Sequence, residues 1–124
     1  MRLAIAGPPR SGKTTLAEGF DDVATVYSTD SLIELGWHEA SATAAEWFDV
    51  PGSIIVEGMA TPRALRKWLK ANPTGKPVDA VVWIRTPKVE STRGQIAMGK
   101  GARTVLDEIT EELLDRGVVM QERP

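Results

Sequence analysis

Gly7-Pro8-Pro9-Arg10-Ser11-Gly12-Lys13-Thr14 is the segment that most narrows what this chain can fold into. It fits the spacing G-x-x-x-x-G-K-[ST]. The apolar run Leu3-Ala4-Ile5-Ala6 leads into it, and a helical pattern with Leu16 and Phe20 one turn apart leads out. The spacing is informative only in such a strand–loop–helix setting. A loop so placed aims backbone N–H groups at one point and adds the positive end of a helix dipole, which together seat a phosphate. Pro8 and Pro9 have no N–H, so the donors come from Arg10 to Thr14. Gly7 closes the strand, and Gly12 lets the chain approach a phosphate closely. Lys13 brings charge to the outer phosphates of a nucleoside triphosphate. The Thr14 hydroxyl suits a magnesium ion, and Thr15 reaches the innermost phosphate.

The rest of the chain alternates between strand and helix patterns. Strand signals fall at 24–28, 53–57, 79–84 and 118–120, and helix signals at 12–20, 30–35, 43–48, 61–71 and 104–116. Ser31 with Glu34, and Thr43 with Glu46, have capping-box spacing, so the stretch from Asp30 to Val50 reads as two short helices split at Gly36-Trp37-His38. Asp49-Val50-Pro51-Gly52 reads as a type II turn. Thr61-Pro62 starts a helix and Asn72-Pro73 stops it. Residues 88–97 carry a weaker helical pattern. Gly94, Gly99 and Gly101 mark the segment from Gly94 to Ala102 as a mobile glycine-rich loop. Thr104 with Asp107 caps the next helix, and Gly117 ends it. The alternation predicts an α/β fold, a parallel sheet with helices on both faces.

A chain of 124 residues with 42% apolar residues supports a single domain around one core. The net charge of −2 argues against extensive duplex binding, which would show a basic excess. With no cysteine, disulfides and thiolate chemistry are excluded. No apolar run approaches the roughly 20 residues of a membrane span, and the expectation is a cytoplasmic protein without a membrane partner.

Two carboxylates stand where a parallel sheet presents its ligand edge. Glu57 ends the third apolar strand and can hold magnesium. Asp30 follows the second strand and can orient or deprotonate an acceptor hydroxyl, although Asp before a helix is also a common cap. Arg63, Arg85, Arg93, Lys100 and Arg103 follow the third and fourth strands. Cations there can stabilise a phosphoryl group in transfer, and Arg93, Lys100 and Arg103 flank the glycine-rich segment as a short lid at about 88–103. Trp68 and Trp83 read as core. Trp37, Trp47 and His38 read as packing or pocket lining.

These residues resemble the P-loop kinase group, the adenylate-kinase-like nucleotide and small-molecule kinases together with the polynucleotide 5′-hydroxyl kinases. Three places carry the resemblance: the Walker A loop Gly7 to Thr14; Ser28-Thr29-Asp30 at the end of the second strand; and Ile54-Ile55-Val56-Glu57-Gly58 followed by Arg63. It implies a three-layer P-loop NTPase fold with a mostly parallel five-stranded sheet in the order 2-3-1-4-5. It implies ATP (or GTP) with Mg2+ as the phosphate donor. Catalytic roles fall to Lys13, Asp30, Arg93 and Arg103. Donor contacts fall to Gly7, Arg10, Ser11, Gly12, Lys13, Thr14 and Thr15. Magnesium falls to Thr14 and Glu57, and the acceptor to Asp30 and Arg63, with residues of about 30–50 as the acceptor segment. The acceptor is a nucleoside, a nucleotide, a 5′-hydroxyl end or another small alcohol. The chain carries Glu57 where the nucleotide kinases use Asp, and its Arg63 is further from that residue than in their pattern. Its small size also suits a nucleotide-dependent switch or adaptor with a protein partner.

Overall fold

The computed structural model describes residues 1–8, 11–85 and 92–124, with the side chain of Ile33 also outside the description. Arg10 of the phosphate loop and Lys88 to Ser91 of the expected lid lie outside the described residues. The strands are β1 (Arg2–Ala6), β2 (Thr25–Ser28), β3 (Ile54–Glu57), β4 (Ala80–Ile84) and β5 (Val119–Arg123). They form one sheet in the order β2-β3-β1-β4-β5, and all four pairings are parallel. This is the expected α/β class and strand order.

The helices are α1 (Lys13–Glu18), α2 (Trp37–Trp47), α3 (Thr61–Ala71) and α4 (Arg93–Asp115), with a 3₁₀ helix at Thr29–Leu35. Alternate strand residues point to opposite faces. Ala4, Ala6, Val56, Val81 and Trp83 pack under α2, α3 and α4, against Phe48, Leu65, Leu106 and Leu113. Ile5, Ile55, Val82 and Ile84 face the other way and meet Ala17 and Leu16 of α1. Helices therefore cover both faces. Among the described residues no helix is long and apolar enough to cross a membrane.

Two helix boundaries differ from the sequence reading. Residues 37–47 are one helix, not a break followed by a short helix from Thr43. Gly36 takes φ +84° and ends the 3₁₀ turn, so the chain re-enters helix at Trp37, where Ala40 and Ala44 find a buried stripe against the core. Thr43 lies inside that helix, and the Ser31 hydroxyl donates to the Ser28 carbonyl (2.8 Å) rather than capping. The second difference is α4, which runs unbroken for 23 residues. Its cap is Thr92, whose hydroxyl accepts from Gln95 N–H (3.2 Å) while the Gln95 side chain accepts from Thr92 N–H (2.9 Å). Thr104 is mid-helix, donating to the Lys100 carbonyl (2.9 Å). The segment from Gly94 to Ala102, expected as a mobile loop, is therefore helical. Gly99 is buried, and a side chain at Gly101 would lie 3.4 Å from the Arg63 guanidinium. These glycines give close packing, which outweighs the roughly 1 kcal/mol each costs in a helix.

The edge of the sheet opposite the phosphate loop is held by Arg2. Its guanidinium donates to the carbonyls of Phe48, Val50 (2.6 Å), Gly52 (3.0 Å) and Pro77 (3.3 Å). It thereby satisfies loop carbonyls that β-sheet pairing leaves over. Arg2→Ala is expected to lower unfolding free energy by about 2 kcal/mol in urea titration, with ligand affinity at the far edge unchanged.

Candidate functional site: the carboxyl edge of the sheet

The parallel registers bring the functional residues together. Glu57 pairs with Ile5 on one side and Ser28 on the other, so the ends of β1, β2 and β3 lie level. Gly58 N–H donates to the Ile5 carbonyl (3.1 Å), which turns the chain immediately after Glu57. Residues 7–14 leave the adjacent end of β1, and α1 carries Lys13 and Thr14 back over that edge.

Gly7 is buried against β4, where a Cβ would stand 2.8 Å from the Ile84 carbonyl oxygen. Gly12 takes φ +86°, a left-handed conformation that favours glycine. The first helical bond is Leu16 N–H to the Gly12 carbonyl (2.9 Å). The N–H groups of Lys13, Thr14 and Thr15 are therefore left without a helical acceptor. Lys13 is 5% exposed, donates only weakly to the Pro8 carbonyl (3.4 Å) and makes no ion pair among the described residues. Among the described residues the buried Ser11 hydroxyl has no partner.

Thr14 Oγ1 donates to Glu57 Oε1 (3.1 Å), while Glu57 Oε2 is buried with no partner. Glu57 is 0% exposed. Burial pushes its carboxyl above the usual range; the nearby Ser28 hydroxyl pulls back, the Asp30 charge pushes further up, and Thr14 and Lys13 pull down. A cation at Oε2 would relieve both the desolvation and the repulsion from Asp30. Among the described residues no cluster of three or more His, Cys, Asp or Glu side chains could hold a metal. Magnesium needs no such cage, since one or two side chains, phosphate oxygens and water complete its shell.

A raised folded-state value has a definite sign in stability. The folded protein then binds more protons than the unfolded chain, so stability contributed at Glu57 is present at low pH and lost as pH rises from about 4.5 toward the folded value. Glu57→Gln removes that loss. Without divalent cation at neutral pH, Glu57→Gln is expected to melt a few degrees higher than the parent. It is also expected to lose any Mg2+-dependent rise in melting temperature, and a calorimetric scan with and without Mg2+ checks both.

Asp30 is exposed in the first turn of the 3₁₀ helix, held by its N–H to Ser28 Oγ (3.3 Å). Its Oδ1 would be 3.2 Å from a Cβ at Gly58. The structure thus brings Asp30, Glu57, Thr14 and Lys13 to one edge. Arg63, in the first turn of α3, stacks over Trp37 (4.5 Å to the ring centre), with Nη1 buried and unpartnered. Burial lowers its proton affinity, and Arg66 adds to the effect. The sequence suggests packing or pocket lining for Trp37, and nothing in its local pattern announces that it supports Arg63.

The lid candidates separate. Arg93 is exposed at the start of α4. Arg103 is taken up by Asp107 (2.9 Å) and Glu122 (2.6 Å) and lies 5.4 Å from the Trp83 ring centre. It would have to exchange those partners to reach a phosphate. Arg85 and Lys100 share a cavity of ≈ 320 Å³ with Pro8, Trp83, Gln95 and Arg103. On the α1 side a second cavity of ≈ 340 Å³ is lined by Ser11, Gly12, Thr15, Leu16, Ile84 and Arg123.

No family model matches the chain, and no curated protein matches it.

Proposed function

We propose that the chain is an ATP-dependent phosphotransferase of the small P-loop kinase type. One observation carries this reading. A buried lysine and a threonine hydroxyl at the end of a G-x-x-x-x-G-K-T loop stand with a buried strand-end carboxylate, and among the described residues the lysine makes no ion pair and one carboxylate oxygen has no partner. The lysine ammonium and the carboxylate are costly to bury alone, and a magnesium triphosphate beside Thr14 complements both.

In this reading the loop amides and Lys13 hold the β and γ phosphates, and Thr14 and Glu57 hold Mg2+. When bound, Mg2+ neutralises phosphate charge. The ≈ 340 Å³ cavity beside Thr15 and Leu16 accommodates the base. Asp30, two residues beyond the end of β2, orients or deprotonates an acceptor hydroxyl. Arg63 binds an anionic part of the acceptor. Lys13, with Arg93 or Lys100 at the near end of α4, stabilises charge on the transferring group, with the proton passing from the acceptor hydroxyl to Asp30 as the new P–O bond forms and the ADP bond breaks.

The test is transfer from γ-labelled ATP and Mg2+ to a panel of nucleosides, nucleoside monophosphates and 5′-hydroxyl oligonucleotides. Label on one acceptor class is the expected result. Tight ATP binding with no transfer to any class would replace this reading with a nucleotide-dependent switch.

A further inference from the structure

Thr29 lies between the two acidic groups, and neither proposed role uses it. It is 0% exposed, an uncommon place for a hydroxyl. Its Oγ1 accepts from Ala60 N–H (3.2 Å), a bond that crosses from the start of the 3₁₀ helix to the loop after β3. The opposite side of the contact is Gly58 at φ +129°, where a Cβ would come within 1.9 Å of the same Oγ1. Thr29 and Gly58 are therefore fitted to one another. Strand pairing does not explain the tie, because the β2–β3 register already ends at Ser28 and Glu57. The Thr29 bond acts one residue beyond that last pair, where Asp30 and the Glu57-Gly58 turn leave the sheet.

We infer that Thr29 is a positioning residue: its buried hydroxyl, seated on Gly58 and bonded to Ala60 N–H, sets where Asp30 stands relative to Glu57. The inference rests on the phosphotransferase reading for its consequence, since Asp30 meets the acceptor hydroxyl only if the separation from the Glu57 side is held. Without the tie, Asp30 sits on an exposed 3₁₀ turn held locally by its own long bond to Ser28 Oγ and by the Ser31 hydroxyl on the Ser28 carbonyl, neither of which fixes it against the Glu57 side. Displacement by about 1 Å is enough to cost roughly 100-fold in a positioned reaction.

The experiment compares Thr29→Val, which keeps the shape and loses the hydroxyl, with Thr29→Ser, which keeps the hydroxyl, each alone and with Asp30→Asn. Thr29→Val is expected to lower kcat by roughly 10- to 100-fold with Mg2+-free ATP affinity unchanged. Thr29→Ser is expected to restore most of the rate. In the Asp30→Asn background, Thr29→Val should cost no more than about twofold, because the two changes act through one group. Full additivity of the two substitutions would overturn the inference, as would a loss of melting temperature in Thr29→Val with kcat intact. If the parent protein binds ATP but transfers no phosphate, the phosphotransferase reading fails separately. The tie is then read from the gain in ATP affinity on adding Mg2+. A reduced gain in Thr29→Val supports it, because the same bond holds the turn after Glu57, and an unchanged gain refutes it.

Discussion

On the proposed phosphotransferase reading, replacing Lys13 with alanine is expected to lower MgATP affinity roughly 100-fold. The side chain is nearly buried, pairs with no carboxylate among the described residues and has only a weak bond to the Pro8 carbonyl. Its charge is held in no ion pair among the described residues and acts on the Glu57 carboxyl only at longer range. Truncating one partner of a buried charge-assisted contact costs about 3 kcal/mol or more, which is roughly a 100-fold loss of affinity. Calorimetric titration of MgATP measures this directly. Stability without ligand should hold or rise, because a desolvated, poorly bonded cation has been removed. Equal MgATP affinity in parent and variant would refute the assignment of the loop.

Gly58→Ala is expected to be the most damaging conservative change at the site. Alanine at φ +129° is strained, and its methyl would meet Thr29 Oγ1 at 1.9 Å with Asp30 Oδ1 at 3.2 Å. Backbone strain and forced displacement of a buried side chain together cost about 3 kcal/mol. Urea denaturation should show this as a lower midpoint at unchanged slope. The contrast with Gly52→Ala is informative. That glycine also has positive φ (+90°) but nothing within 4 Å, so its replacement carries strain without the clash and costs less. A Gly58→Ala variant no weaker than Gly52→Ala would mean that the Thr29 contact relaxes freely.

Both expectations concern residues whose neighbours differ in how visible they were. The strand–loop–helix setting of Gly7 to Thr14 was legible because its information is local: spacing, glycines, and a strand and helix on its two sides. The inner strands were legible for a related reason, since strands buried on both faces are short apolar runs, whereas the exposed edge strand β5 runs through polar residues to Arg123, past the expected end at Met120. Glu57 was legible as a carboxylate at the end of such a run. The helices of the second half were less so. Glycines at 94, 99 and 101 and a capping-type Thr104 argue locally for a loop and a restart, yet a continuous α4 buries Ala102, Val105, Leu106, Ile109 and Leu113, which outweighs those preferences. The same competition fused the chain from Trp37 to Trp47 into one helix.

By itself the sequence determined the α/β alternation, the strand–loop–helix junction that carries Lys13 and Thr14, and the carboxylate ending β3. Each follows from residues within a few positions of one another, where covalent geometry and side-chain period leave little choice. Only the tertiary structure decided that Thr14 reaches Glu57, that Thr29 sits on Gly58, that Trp37 supports Arg63, and that Arg103 is held by Glu122. These contacts join residues 19 to 43 positions apart. The parallel register places them, and that register comes from burying the whole sheet between its helices rather than from any single segment.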